Sequence, residues 1–310
     1  MYLHRLQPGD TIGIICPASL MDPGSPRLLL MEERLKALNL SFKYGKTCFA
    51  RYGYLAGSDE LRTSDLHEMF LDEEVKAILC LKGGYGCSRL VDKLDYELIK
   101  QHPKLLIGFS DITVLINAIY QQTGLPMMHG AVGIYLGSPS FDASSLDDFA
   151  HMLFSPQLGR VLKNPHDDAI TLNPGLSSGV LVGGNLSLIA ALQGTAWDIP
   201  FKNKIVLIED VDEAPYRLDR FFASLRLSGK LREAVGFVFG YFTGCEPKDP
   251  SVWDVNELID QYFKPLGVPV VKNFASGHNY PFLNLPIGLQ VELNADTKTI
   301  TILEELYASH

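Results

Sequence analysis

Residues 105–113 read LLIGFSDIT and join an apolar segment to a helical one. The apolar run at residues 105–107 predicts a buried strand, and apolar side chains at helical spacing over residues 114–119 predict a helix directly after it. Ser110 therefore falls on a sharp turn between strand and helix, where a nucleophile elbow exposes a serine hydroxyl. The pattern lacks the second glycine of G-x-S-x-G, and serine is also a favoured helix N-cap, so both interpretations stay open here.

The chain before and after this turn alternates strand-like and helix-like segments. Such alternation predicts a parallel sheet with helices on both faces, the α/β class. Ligands bind such sheets at the carboxyl ends of strands, where Ser110 and a glycine-rich loop at residues 83–86 both lie. Strands are expected at residues 11–16, 41–44, 75–81 and immediately before Ser110, with helices at 26–38, 58–71 and 111–122.

The pattern weakens between about residues 137 and 174, where Ser-Pro and Asn-Pro pairs interrupt it. We therefore predict an N-terminal α/β domain at residues 1–140, a crossing at 141–173 and a β-rich domain at 174–310. A hairpin is expected around Asn294-Ala295-Asp296-Thr297. Strands of the second domain are expected at residues 179–182, 204–209, 235–242, 268–272, 288–293 and 299–303.

Composition restricts the class of function. The 310 residues carry a formal net charge of -9 and no basic cluster, which argues against a nucleic-acid partner. Five scattered cysteines without a C-x-x-C pair predict neither a disulfide framework nor a cysteine zinc site. No signal peptide and no membrane-length apolar run is present, so we expect a cytoplasmic protein without a membrane partner.

A serine nucleophile needs a base and a group that orients the base. Two of the eight histidines are candidates for the base, namely His278 in a turn-rich loop and His129 at the end of a short apolar run. The apolar strand at residues 204–208 ends in two adjacent acids, and either Glu209 or Asp210 could hold an imidazole.

The glycine loop (residues 83–86) also has two interpretations. It could cradle a phosphate, although it matches no phosphate-binding pattern, or bring a backbone N–H close to an oxyanion beside Ser110. No H-E-x-x-H, EF-hand or kinase pattern occurs, so neither a metal nor another cofactor is expected.

Five motifs follow one another along the chain, namely KGGYGCSR at residues 82–89, GFSDIT at 108–113, GGNL at 183–186, EDVDEAPYRLDR at 209–220, and Gly277-His278 followed by LPIG at 285–288. Taken together and in this order, they resemble the LD-carboxypeptidases that act on murein tetrapeptides and the related microcin self-immunity peptidases. The resemblance covers most of the chain. The sequence departs from the family at Ala131, where proline is common, and at Ser276, where phenylalanine is common; the second departure could alter the floor of the substrate pocket.

The resemblance implies a flavodoxin-like N-terminal domain, a β-rich C-terminal domain and an active site at their interface. It also implies a Ser–His–Glu triad formed by Ser110, His278 and Glu209, with oxyanion donors at the backbone N–H groups of Gly84 and Asp111. Arg89 and Arg217 are candidates for binding the substrate carboxylate.

The activity implied is hydrolysis of the amide that links an L-configured centre to the terminal D-alanine of a murein tetrapeptide, during peptidoglycan recycling. The partner would be a small peptide, and the resemblance implies a homodimer. One alternative is a microcin-type peptidase that cleaves an aminoacyl- or peptidyl-nucleotide, for which Trp197 is a conceivable stacking residue. A second alternative is a non-catalytic binding module that uses the glycine loop to hold an anion.

Overall fold

The computed structural model describes residues 3–249 and 251–308, which form two compact units. The first unit is built mainly from the N-terminal half of the chain. Its elements are β1 (Thr11–Ile15), α1 (Pro26–Ala37), β2 (Ser41–Tyr44), α2 (Asp59–Leu71), β3 (Val75–Cys80), α3 (Tyr96–Gln101), β4 (Leu105–Gly108), α4 (Thr113–Thr123), β5 (Met127–His129), α5 (Gly133–Leu136) and α6 (Ala143–Phe154).

The second unit follows, and the chain returns to the first unit twice, at Asn284–Gly288 and from Glu305 onward. The elements are β6 (Val161–Leu162), β7 (Ile170–Asn173), β8 (Leu176–Asn185), α7 (Leu186–Ala191), β9 (Lys204–Val211), α8 (Pro215–Leu227), β10 (Gly236–Thr243), α9 (Val255–Phe263), β11 (Val270–Lys272), β12 (Leu285–Ile287), β13 (Gln290–Asn294) and β14 (Thr299–Ile302).

The first sheet has the strand order β12-β5-β4-β3-β1-β2. Its strands β1 to β5 pair in parallel, and β12 joins the edge antiparallel to β5. The order 2-1-3-4-5 is that of flavodoxin-like folds, which confirms the fold expected for the first domain. Every residue of β4 is buried, as expected for a central strand covered on both faces.

The second sheet has eight strands in the order β6-β14-β13-β8-β9-β10-β11-β7. Strands β8 to β11 are parallel, and antiparallel strands extend the sheet at both sides. The predicted hairpin is confirmed as β13 and β14, which pair from Asn294 opposite Thr299. The β-rich second domain is therefore also confirmed, and the parallel strand β9 carries the two adjacent acids.

The two units do not have the bounds predicted from the sequence. The first unit comprises Met1–Gln157, Asn284–Gly288 and Glu305–His310, and the second comprises Leu158–Leu283 and Leu289–Glu304. The segment at residues 141–173 is not a separate crossing, because α6 belongs to the first unit and β6 and β7 to the second. β12 belongs to the first unit because it pairs with β5. Residues 1, 2, 250, 309 and 310 of the predicted domains lie outside the described residues.

Candidate active site

Ser110 occupies a strained turn at the carboxyl end of β4. Its φ is +63°, in the left-handed region that non-glycine residues rarely adopt, while Phe109 before it is extended. Such a conformation costs on the order of 1–3 kcal/mol and persists where the surrounding structure holds it. A serine at positive φ between a parallel strand and a helix is the geometry of a nucleophile elbow.

The alternative interpretation of Ser110 as a helix cap is wrong. Ser110 begins a short 3-10 turn, Ser110–Ile112, and the N-cap of α4 is Ile112. Ile112 stands where the elbow pattern has its second glycine. Its side chain lies against Gly108, where an added Cβ would be only 2.8 Å from Ile112 Cγ2, so the close approach is made by the first glycine instead.

The glycine loop passes close to Ser110. A Cβ added at Gly83 would lie 3.0 Å from Ser110 Cβ and 3.2 Å from its Oγ. Gly84 and Gly86 have φ values of +115° and +126°, which suit glycine. The loop leads into a 3-10 turn of three residues, Cys87–Arg89, rather than into an α-helix. It therefore lacks the helix N-terminus that strengthens a phosphate cradle, and its position favours the oxyanion interpretation.

Glu209, which is buried, and His278, which is partly buried, form a pair within the second unit. Glu209 lies in β9 with no exposed surface, and its Oε2 is 2.6 Å from His278 Nδ1. His278 lies in the loop between β11 and β12, and Thr243 at the end of β10 donates its hydroxyl to the His278 carbonyl at 2.9 Å. A carboxylate on Nδ1 orients the ring and makes Nε2 the proton acceptor of the neutral tautomer.

The backbone around this pair leaves room for nothing larger than glycine. Gly277 has a φ of +112°, and a Cβ there would lie 2.9 Å from Glu209 Oε2. At Gly240 on β10, a Cβ would lie 2.3 Å from the Ser276 carbonyl and 3.1 Å from Glu209 Cβ. Gly240 and Thr243 were not singled out from the sequence, because a glycine and a threonine within a strand carry no signal without the fold.

Ser276, at a position where the family often has phenylalanine, lies in the loop between β11 and β12 that carries His278. It is fully buried, and its hydroxyl donates to the Leu283 carbonyl at 3.0 Å. The side chain therefore ties the two ends of the His278 loop together.

Asp210 points away from the imidazole, as expected for the residue next to Glu209 on a strand. Its carboxylate accepts hydrogen bonds from the Ser187 N–H at 3.0 Å, the Ser187 hydroxyl at 2.8 Å and the Asn185 amide at 3.0 Å. Burial and the neighbouring charge of Glu209 raise the pKa of Asp210 to about 6. Of the two adjacent acids, the structure thus pairs Glu209 with histidine and uses Asp210 to anchor the start of α7.

The charges around His278 change its protonation equilibrium. Burial of the ring lowers its pKa, but the charge and hydrogen bond of Glu209, with the charges of Asp210 and Asp212, outweigh burial. The pKa of His278 consequently lies above the ordinary imidazole value. The same electrostatics would stabilise the imidazolium that forms when a base takes a proton.

The remaining candidate residues are His129, Arg89 and Arg217. His129 is buried in β5 of the first unit, and its ring lies against Phe109 with centroids 5.7 Å apart. Arg89 and Arg217 are about half exposed and pair with Asp59 at 2.9 Å and with Glu213 at 3.3 Å. Arg217 also lines a cavity of about 730 Å³ that opens beside the ends of β9 and β10. No group of His, Cys, Asp or Glu within residues 3–249 and 251–308 is arranged to hold a metal ion.

An elbow serine on a parallel sheet and a histidine–carboxylate pair are the parts of a serine hydrolase. The comparison with known families agrees. Residues 12–130 match the LD-carboxypeptidase N-terminal domain, and residues 178–293 match the LD-carboxypeptidase C-terminal domain. The chain therefore belongs to the LD-carboxypeptidase family, and it is a hydrolase of the serine carboxypeptidase type.

Individual relatives cover nearly the whole chain. A probable murein peptide carboxypeptidase of Bacillus subtilis is 39% identical over 96% of this chain and 92% of its own length. The crystal structure of muramoyltetrapeptide carboxypeptidase from Oxalobacter formigenes has a TM-score of 0.80 and 27% identity, covering 94% of this chain and 97% of that one. The structure of MccF in complex with glutamyl sulfamoyl guanosine has a TM-score of 0.90 at 23% identity and covers 99% of each chain, a likeness of fold.

Among the described helices, none combines the length and the apolar character needed to cross a membrane.

Proposed function

We propose that this chain hydrolyses the amide between an L-configured centre and the terminal D-alanine of murein tetrapeptides. The observation that carries the proposal is the pair of the buried Glu209 and the partly buried His278, with 2.6 Å between Oε2 and Nδ1, in a chain of this family. A relative that is 39% identical is a probable murein peptide carboxypeptidase, which supports the choice of substrate.

The proposed mechanism uses Ser110, His278 and Glu209 as a triad. Ser110 Oγ attacks the carbonyl carbon of the scissile amide while His278 Nε2 takes the hydroxyl proton, which requires these two atoms to come within hydrogen-bond distance. The negative charge on the carbonyl oxygen is stabilised by the N–H groups of Gly84 and Asp111. The C–N bond then breaks, and His278 returns the proton to the amine of D-alanine.

The acyl-enzyme is released by the same residues in the reverse order. A water molecule gives a proton to His278 and attacks the ester carbon, and the ester bond to Ser110 breaks as the serine regains its proton. The products are a tripeptide and D-alanine. We propose Arg89 and Arg217 as candidates for the substrate carboxylate, since a guanidinium binds a carboxylate with two parallel hydrogen bonds.

We expect the rate to fall as pH decreases through the pKa of His278, because only the neutral ring can accept the serine proton. Since this pKa is raised, the acid limb of kcat/KM should lie above about pH 6.5, the usual imidazole value. A pH profile of tripeptide release measures the limb. An acid limb at about pH 4, where carboxylates titrate, would contradict the assignment of His278 as the base.

Stereochemistry tests the proposed substrate. The tetrapeptide that ends in D-alanine should be cleaved, and the same peptide ending in L-alanine should be cut at least about tenfold more slowly, because inversion moves the carboxylate away from its donors. A pentapeptide ending in D-Ala-D-Ala should also be poor, because its scissile bond joins two D-centres. Mass spectrometry of the products reads all three reactions, and equal cleavage of the three would contradict the proposal.

A second candidate is the cleavage of an aminoacyl- or peptidyl-nucleotide. The MccF structure with a similar fold holds glutamyl sulfamoyl guanosine, and the half-buried Trp197 after α7 could stack on a base. Cleavage of an aminoacyl-nucleotide with no cleavage of murein peptides would select this candidate. If the peptides bind but are not cleaved and form no acyl-enzyme, the result would select a non-catalytic binding module.

The proposed place of the reaction is the cytoplasm, during the recycling of peptidoglycan fragments. All five cysteines are buried thiols, an arrangement that suits a reducing compartment. The homodimer stays a prediction, and light scattering of the purified protein measures it.

A further inference from the structure

Arg62 in α2 is a fully buried arginine. Its Nη1 donates to the Pro17 carbonyl at 2.6 Å and to the Gly86 carbonyl at 2.9 Å, and its Nη2 lies 2.6 Å from Asp59 Oδ1. A buried guanidinium is costly unless it is hydrogen-bonded, and in Arg62 the Nη1 and Nη2 groups make these bonds while the buried Nε makes none within the described residues. Here they join three separate segments, namely α2, the turn after β1 and the glycine loop.

The turn after β1 is itself bonded to the glycine loop. The Tyr85 N–H donates to the Ser19 hydroxyl at 3.0 Å, and the Ser19 N–H donates to the Gly83 carbonyl at 3.4 Å. Ser19 Oγ would lie 2.4 Å from a Cβ at Gly84. The loop is therefore held on one side by Ser19 and at its far end by Arg62.

The glycine loop is also joined to the turn of the nucleophile. The carboxylate of Asp111, the residue after Ser110, accepts a hydrogen bond from the Cys87 N–H at 2.8 Å. Asp111 is buried, and the bond ends the loop one residue beyond Gly86. With Gly83 against Ser110 at the other end, both ends of the loop have defined positions relative to the serine.

We propose that Arg62 is a positioning residue for the reaction, because it holds the glycine loop at the distance from Ser110 that an oxyanion donor needs. The inference rests on the proposed function of Ser110 as nucleophile. Arg62 does not contact the substrate, and it acts through the backbone of the loop. Arginine suits the position because its planar group donates to two carbonyls and a carboxylate at once, which an ammonium on a flexible stem does not reproduce.

The test compares Arg62→Lys with Arg34→Lys in the full chain. Arg34 is a matched control, since its guanidinium also donates to backbone carbonyls, those of Ser138 at 2.8 Å and Phe141 at 3.0 Å, but it does not contact the glycine loop. With the murein tetrapeptide, Arg62→Lys should lower kcat by about a hundredfold while KM changes less than about threefold. Arg34→Lys should leave both constants near the wild-type values.

A purely structural role for Arg62 makes a different prediction. Both lysine variants would then lose thermal stability while kcat stayed unchanged, and that result would overturn the inference. If Arg62→Lys does not fold, Asp59→Asn replaces it. This variant weakens the charge-assisted bond that directs the guanidinium, and the side chain of Asp59 is 14% exposed. It should lower kcat by about tenfold, and an unchanged kcat would overturn the inference.

A second readout separates this inference from the choice of substrate. A fluorophosphonate forms a bond from Ser110 Oγ to phosphorus and releases fluoride, and its phosphoryl oxygen takes the place of the oxyanion. Wild-type labelling without peptide cleavage would refute the murein substrate alone, and slower labelling of Arg62→Lys would still support the role of Arg62. Equal labelling rates would refute that role. If the wild-type protein showed no labelling and no cleavage, that result would refute Ser110 as the nucleophile, and the inference with it.

Discussion

Ser110→Ala is expected to abolish hydrolysis of the tetrapeptide while the protein stays folded. The substitution removes a single oxygen from a half-buried side chain, and alanine meets the same backbone strain at φ +63° as serine does. The loss of stability should be about 1 kcal/mol. The loss of turnover should be at least about a thousandfold, because no other group can form the ester bond.

Single-turnover product release and a thermal melt measure the two effects. Ser64→Ala is a suitable control, because Ser64 is an exposed serine in α2 of the same unit. Its activity should match the wild type. Near-normal turnover by Ser110→Ala would show that the strained turn serves another purpose than nucleophilic attack.

Glu209→Gln is expected to have the second largest effect, with a fall in kcat of about a thousandfold or more. The amide keeps the size of the carboxylate but can present an N–H to Nδ1, which favours the wrong tautomer of His278. Removing the charge that raises the pKa of His278 should also shift the acid limb of the pH profile downward. A lower rate combined with this shift is specific to a carboxylate that acts through the imidazole.

Asp210→Asn is the matched control for Glu209→Gln, since it replaces the neighbouring buried acid. An amide oxygen at this position can still accept the Ser187 N–H, so turnover should fall less than about tenfold. Folding raises the pKa of Asp210 to about 6, so its ionisation above that pH opposes folding, and the neutral amide removes this cost. If Asp210→Asn proved the more damaging variant, the assignment of the acid to Glu209 would be wrong.

The sequence by itself determined the fold class and the local elements. Apolar runs bounded by glycine and polar residues predicted β3, β4 and β9, and apolar side chains at helical spacing over residues 114–119 predicted α4. These features depend on neighbours in sequence, so the sequence contains their signal. The sequence also identified the adjacent acids at residues 209 and 210 at the end of an apolar strand. Because side chains alternate along a strand, it further predicted that these two acids point to opposite faces.

Only the tertiary structure decided which of these residues meet. The choice between Glu209 and Asp210 depends on a contact with His278, which is 69 positions away in the chain. The bounds of the units depend on β12 pairing with β5. The position of the glycine loop depends on Arg62, and the burial of this arginine could not be predicted from the sequence of its helix. Contacts between residues far apart in sequence form only when the whole chain packs. Periodicity reports local geometry alone, so a single sequence carries no direct signal for these long-range contacts.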